Sequence, residues 1–421
     1  MKSKKRKVRK RAIKFLLKFL LFFIVIVCYI VIFSEKVSDN GQDNNGSNNA
    51  TDNGESMIIP KTYLNKITYT VNINKEIEEA IITYMDLYYK SMQELKAHDM
   101  TNLFINSEQA YINQTALSLL IESRLLQPND LRLHKASYDL DIRQVTKNGN
   151  DIRVVVRENS YLNFNFMRNI DSKLFNIENE FVFRKVNDEY KIVSYSKVQD
   201  FFVMITNNLT MGGDYKTRLD NIKNNHLANM RRRINTTAEQ RQAYLNDTGI
   251  TRRNCDNPYN RERALEYAKR WITDRNPEWP RYDANCQNYA SQMIHVGGVP
   301  MDNIGNRDAH LQWSSPRNGS GTLVYTWTFV PFFFTYVRDN TGFGLCGSVD
   351  VNLFYAEPGD IIHMGVTGPT RHVSVVSGTV IRDGRVIDVL VHSNTVDKEN
   401  WPMSAYTYPF ISLIKIYGWN N

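Results

Sequence analysis

Apolar and polar positions alternate in distinct rhythms along the chain. From Lys75 to Ala97 the residues Ile77, Ala80, Ile81, Tyr84, Tyr88 and Met92 recur at helical spacing, and Ser107 to Leu126, with Ser107 as cap, reads as a second helix. Four strand-like runs follow, Arg132 to Val145, Asp151 to Phe166, Asn179 to Val186 and Glu189 to Val198, with turns at Asn148-Gly149 and Asn187-Asp188. Helices followed by an antiparallel sheet predict an α+β domain over residues 60–208. Residues 209–258 are polar and helix-prone, with a basic cluster at Arg231-Arg232-Arg233, and read as a connector with a solvated face. Beyond it, a helix capped by Asn260 carries Ala264, Leu265, Ala268 and Trp271 on one face, and Trp327, Val330, Phe334 and Val337 form another helical stripe.

Two stretches in this last part carry candidate chemistry. In Tyr282 to Gly298, Cys286 begins the stripe Tyr289, Ala290, Met293, Ile294 of a helix buried along one side, with Asn285 as N-cap and Gly297-Gly298 as stop. A thiol in the first helical turn faces unpaired N–H groups and the positive end of the macrodipole, which favour the nucleophilic thiolate. A free cysteine is also commonly a small buried hydrophobe. Further on, turns at Pro358-Gly359-Asp360 and Gly368-Pro369 precede a strand from His372, in which His372, Ser374 and Val376 share one face. After a turn at Asp383-Gly384, a second strand from Val386 to Asn394 points His392 and Asn394 the same way. Such a hairpin holds His372 beside a polar group on its neighbour, which a cysteine nucleophile needs: an imidazole to take its proton and a third group to orient the imidazole.

From about Tyr259 to Trp419 the chain resembles the "putative amidase" domains of Gram-positive bacteria, relatives of the NlpC/P60 group of papain-fold thiol hydrolases. The resemblance rests on YNRERALEYAKRW (Tyr259 to Trp271), the NCQNYASQ…GG block, the Trp327…Phe333…Tyr336 helix, the EPGD turn, HVSVV and the late VHSNT segment. It implies a papain-like thiol hydrolase domain over 259–421, with Cys286 as nucleophile, His372 as base, and His392, or second to it Asn394, as the polar third residue. The family usually has Asp before the cysteine and Thr or Ser after it, where this chain has Asn285 and Gln287. Loss of an adjacent carboxylate favours the thiolate and bears on substrate contacts more than on chemistry. The order of elements in 60–208 loosely resembles NTF2-like accessory domains, which implies spacing, adaptor or protein-partner roles.

The 421 residues carry a formal charge of +8, but Met1 to Lys18 holds ten Lys and Arg and no acid, so the remainder carries −2. Nucleic-acid binding thereby loses its main support. The basic residues 1–14 lead into Phe15 to Phe33, an almost wholly apolar run long enough to span a bilayer if Lys18 snorkels. This predicts a cytoplasmic tail and an uncleaved single-pass anchor in the cell membrane with the rest outside, and residues 34–59, rich in Asn, Asp, Gly and Ser, as a flexible tether. Outside the anchor three cysteines remain, an odd number: a Cys255–Cys346 bridge leaves Cys286 free, whereas a bridge to Cys286 abolishes the mechanism. The chain lacks HExxH, CxxC, GxSxG and Walker-type motifs, and His310, His363, His372 and His392 match no standard zinc spacing, so neither metal nor cofactor is expected. The expectation is a membrane-anchored cysteine amidase or peptidase acting on peptidoglycan or another amide of the wall. The alternatives are a non-catalytic wall-binding scaffold and an enzyme that transfers the acyl group to an amine.

Overall fold

The structure, a computed structural model, describes residues 62–207, 214–247, 249–368 and 371–421. The expected tail, membrane span and tether (1–14, 15–33 and 34–59) lie outside the described residues, as does Pro369 of the second turn. Among the described residues no helix is long and apolar enough to cross a membrane.

The fold mixes α and β. Helices α1 (Lys75–Glu94) and α2 (Ser107–Leu125) precede the strands β2 (Leu133–Asn148), β3 (Asp151–Phe164), β4 (Asp171–Val186) and β5 (Glu189–Lys197), while β1 (Leu64–Tyr69) lies parallel to β2 at the edge. Asn74 and Asn106 cap the two helices, each accepting a backbone N–H two residues on. A short helix α3 (Asp200–Thr206) leads towards the long α4 (Tyr215–Leu245). The C-terminal part holds β6 (Asn257–Pro258), α5 (Arg261–Arg270), α6 (Cys286–Val296), α7 (Val330–Asp339), β7 (Gly344–Val351), β8 (Ile361–Gly365), β9 (His372–Arg382), β10 (Arg385–Ser393), β11 (Asp397–Pro402) and β12 (Phe410–Asn420).

Among the described residues the strands make one sheet in the order β1-β2-β3-β4-β11-β10-β9-β8-β12-β6, with β5 also on β4 and β7 also on β12. The sheet crosses from the first part to the last where Asp397, Lys398 and Glu399 of β11 pair with Phe175, Leu174 and Lys173 of β4. Residues 60–208 and 259–421 are therefore continuous through backbone hydrogen bonds. Two apolar cores flank this continuity. One gathers α1, α2 and the first strands and runs on under Val389, Val391 and Trp401; the other surrounds α6 with Trp313, Trp327, Phe333, Val373 and Val375.

The polar connector is more than a solvated link. Arg233 of α4 is buried, and its guanidinium donates to the carbonyls of Tyr406 and Tyr408 at 2.8 Å each and of Met403 at 2.7 Å. His226 Nε2 meets the Thr407 carbonyl at 2.6 Å. The α4 helix thus clamps the loop before β12, while Arg231 and Arg232 of the same basic cluster face solvent.

The EPGD turn is a structural corner. Asp360 accepts from the Ile416 N–H at 3.0 Å, Arg261 at 2.9 Å, Lys415 at 3.0 Å and the Glu357 N–H at 2.9 Å. This fixes the start of β8, on which β9 and its histidine are built. Gly297, the stop of α6, lies against Tyr259: a Cβ there would come within 2.2 Å of the ring.

Candidate active site

Helix α6 begins at Cys286 and is buried around its first two turns rather than along one stripe. The apolar face (Tyr289, Ala290, Met293, Ile294) meets the second core as the spacing predicts. Most of the polar face is buried with partners: Asn288 Oδ1 accepts from Trp327 Nε1 at 2.9 Å, Ser291 Oγ from Trp313 Nε1 at 3.1 Å, and Gln292 Oε1 from the Tyr267 hydroxyl at 2.6 Å, whereas Gln287 Oε1 has none among the described residues.

Asn285 occupies the N-cap position but makes no capping bond with its side chain. Its Nδ2 donates to Asn394 Oδ1 at 2.7 Å, its Oδ1 accepts from Asn288 at 2.8 Å, and its backbone N–H reaches Thr395 Oγ1 at 2.7 Å. The first-turn N–H groups are left to the thiol: those of Cys286 and Gln287, with that of Val373 from β9, act on the sulfur. Cys286 is 6% exposed, and burial outweighs these three donors, pushing its pKa above the ordinary thiol value. The expected thiolate is thus a neutral thiol at rest. Cys255 and Cys346 form a disulfide and Cys286 is free, which resolves the pairing left open by the odd count.

The contact with Val373 brings the residue after His372 to the sulfur. The imidazole itself packs on the ring of Tyr408, centroids 5.9 Å apart, and beside that of Tyr406 at 6.2 Å. Its Nε2 lies 3.0 Å from Ser393 Oγ, and that hydroxyl donates to the Thr395 carbonyl at 3.2 Å. Ser393 also bonds the Tyr406 side chain; with its one proton on the Thr395 carbonyl it is an acceptor for His372, which assigns the imidazole proton to Nε2 and the lone pair to Nδ1. Burial depresses the His372 pKa to about 4, with Asp200 acting to raise it and Lys398 to lower it. Among the described residues no hydrogen bond joins thiol and imidazole; the two groups are neighbours through the Val373 N–H.

His392 and Asn394 are not placed against the imidazole, and Ser393 stands there instead. The two-residue turn pairs Arg382 with Arg385, and His392 pairs with Val375. Two register shifts intervene, between Val386 and Asp388 and between Leu390 and Val391, and they cancel. Continuing that register sets Ser393 across from Ser374, on the face shared with His372, and turns His392 to the other face. His392 is buried, accepts the Asn400 N–H on Nδ1 at 3.3 Å, and is held neutral, with a pKa near 4, by burial and then by Lys269. Asn394 positions the nucleophile's helix: its Nδ2 donates to the carbonyls of Trp271, Ile272 and Asp274, and its Oδ1 holds Asn285. Thr395 at φ 115° and Val396 at φ 54° follow in the left-handed region, a turn costing on the order of 1–3 kcal/mol per residue that presents Ser393, Asn394 and Thr395 together.

One residue of the first part, Asp200, reaches this site, and only the fold reveals it. Asp200 of α3 lies 3.4 Å from both Lys398 Nζ and the Tyr408 hydroxyl, and Lys398 Nζ sits 3.8 Å from the Tyr406 ring centroid. Of the four histidines weighed as zinc ligands, His310 stacks on Phe332 with centroids 3.7 Å apart, and among the described residues no three His, Cys, Asp or Glu gather as a metal site.

Comparison with known proteins bears on the part of the chain that holds these residues. The family described as "Putative amidase domain" matches residues 258–417, which include Cys286, His372 and Ser393. The chain is similar to the "Uncharacterized protein YhbB" of Bacillus subtilis (strain 168), 31% identical over 123 residues, or 28% of this chain and 37% of the relative. The chain thus spans little more than a third of the length of the curated relative it matches. No solved structure matches. Residues 258–417 form an amidase-like C-terminal part.

Proposed function

We propose that the chain is a cysteine amidase in which Cys286 and His372 cleave an amide bond. The observation that carries this reading is the Ser393–His372 hydrogen bond, which leaves Nδ1 unprotonated, together with a free thiol reached by the backbone N–H of the next residue. Both groups are neutral at rest, so His372 acts as general base during attack rather than as half of a standing ion pair. Sγ adds to the carbonyl carbon while Nδ1 takes the thiol proton. The oxyanion is met by the backbone N–H of Cys286, a first-turn donor without a helical acceptor. Collapse breaks the C–N bond, the imidazolium protonates the departing amine, and water, deprotonated by the same nitrogen, cleaves the thioester.

Peptide amides of the cell wall are the proposed substrate class, at the face of a membrane to which residues 15–33 anchor the chain. The Cys255–Cys346 disulfide supports an oxidising, extracytoplasmic setting. Incubation of purified muropeptides with the full chain, followed by mass spectrometry, tests this: a new amine and a new carboxylate should appear, and neither with Cys286→Ala. A second reading, a wall-binding scaffold, draws on the burial of Cys286. It predicts that the chain is retained on purified wall, unchanged by Cys286→Ala, with no product from any muropeptide.

A further inference from the structure

Beside the imidazole lies a group of buried charges that the proposed chemistry does not use. Arg124 of α2 is 3% exposed, and its Nε and Nη1 have no hydrogen-bond partner among the described residues. Its guanidinium rests 5.6 Å from the Phe164 ring centroid and 6.0 Å from that of Trp401, contacts that satisfy charge in part but accept no in-plane N–H. Lys398, 4% exposed, reaches its one carboxylate, Asp200, only at 3.4 Å. The Lys197–Glu158 pair shows what a completed buried ion pair looks like in this protein: 2.9 Å, with the same carboxylate also accepting from Asn179 at 2.9 Å. At Arg124 and Lys398 two basic groups share one carboxylate, and burial, with Arg124 beside it, presses Lys398 below the ordinary ammonium range, an arrangement short of one negative charge. Burial lowers Arg124 to about 10, which leaves it charged at neutral pH.

These groups line one small pocket with Tyr88, Gln199 and Trp401. The Gln199 Oε1 is occupied by the Tyr88 hydroxyl at 3.1 Å, leaving its amide nitrogen as a further donor. About 30 Å³ of room remains, enough for one or two waters or a single small anionic group. A planar, singly charged, two-oxygen group matches both the arginine fork and the one missing charge; a tetrahedral dianion also suits the fork but brings one charge too many and more bulk than the pocket holds. The pocket lies behind the aromatic wall of the imidazole: Asp200 reaches the Tyr408 hydroxyl at 3.4 Å and Lys398 Nζ sits 3.8 Å from the Tyr406 ring centroid, and both rings pack against His372.

We propose that Arg124 and Lys398 form a carboxylate-binding subsite behind the Tyr406 and Tyr408 rings that pack on His372. Its use as a substrate subsite rests on the amidase reading; the binding of a carboxylate does not. Thermal unfolding of the full chain is to be followed at neutral pH while acetate replaces chloride at constant ionic strength, with sulfate as control. Acetate should raise the Tm saturably, as a ligand of the native state does. Sulfate should not, and Arg124→Met and Lys398→Met should each abolish the acetate effect while remaining folded. In a second arm, amide substrates with a free carboxylate are compared with their carboxamide analogues. A KM lower by roughly ten- to hundredfold for the carboxylate, lost in Arg124→Met, assigns the subsite to substrate. Acetate binding with equal KM values assigns it to a free carboxylate. Acetate binding without any amide cleavage keeps the subsite and removes the amidase reading. An acetate effect absent from the wild type, or equal in both variants, overturns the proposal.

Discussion

Replacing Ser393 with Ala removes the group that fixes the imidazole. Ser393 is fully buried, and its hydroxyl accepts from His372 Nε2 at 3.0 Å while donating to the Thr395 carbonyl at 3.2 Å. Without it the Nε2–H is buried with no acceptor, a penalty of about 1–3 kcal/mol that the protein relieves by turning the ring or moving the proton to Nδ1. Either response removes the base from the thiol, so kcat/KM for amide cleavage should fall roughly ten- to hundredfold. Urea unfolding on the same preparations separates this from loss of fold. His392→Asn is the matched control: an amide oxygen can still accept the Asn400 N–H, whose present bond is 3.3 Å long, and the residue lies on the opposite face from His372. It should leave kcat/KM within about threefold, as expected for a site uncoupled from the reacting groups. Full activity in Ser393→Ala, or a greater loss in His392→Asn, would refute the assignment of Ser393 and the register argument behind it.

Further expectations concern protonation and the clamp on the site. Because burial raises the Cys286 pKa, native alkylation by iodoacetamide should climb about tenfold per pH unit to beyond pH 9; a plateau from pH 6 would mean a standing thiolate–imidazolium pair. His372 and His392 have folded pKa values near 4 against 6.5 in the unfolded chain, so the unfolded state binds more protons between those values. Stability is then complete above about pH 6.5 and falls towards pH 4, by about 3 kcal/mol per histidine, partly offset by Asp388 and Asp397, whose raised pKa values act in the opposite sense. Urea midpoints from pH 7 to 4.5 check this, and His392→Asn should flatten the slope. Arg233→Lys keeps the charge but cannot reach all three carbonyls of the Met403–Tyr408 loop, so it should destabilise the fold by about 2 kcal/mol in urea unfolding; an unchanged midpoint would show that the clamp contributes nothing.

Elements governed by local spacing were readable before the fold was known. The stripe from Cys286 to Ile294 is a helix with the thiol at its first residue, and the Asp383-Gly384 turn joins the strands that carry His372 and His392. Ser393 was readable too, had the register been followed from that turn. The strand ends at His392 and Asn394 drew attention by residue type, whereas face depends on pairing parity. Asn285 fits a cap by composition, but its side chain is held by Asn394 and Asn288, which a local pattern does not encode. The pairing of β4 with β11, and with it the approach of Asp200 and Arg124 to the C-terminal site, joins segments more than two hundred residues apart along the sheet. No periodicity reports which strand edges meet.

The most direct test of the central claim is the amide-cleavage rate of Cys286→Ala, His372→Ala and the double variant, measured on the same muropeptide preparation with the folded state of each confirmed. Groups that share one proton transfer are grossly non-additive, so each single change should abolish cleavage about as completely as the double change. Cleavage that persists in Cys286→Ala, or losses that multiply in the double variant, would contradict the account.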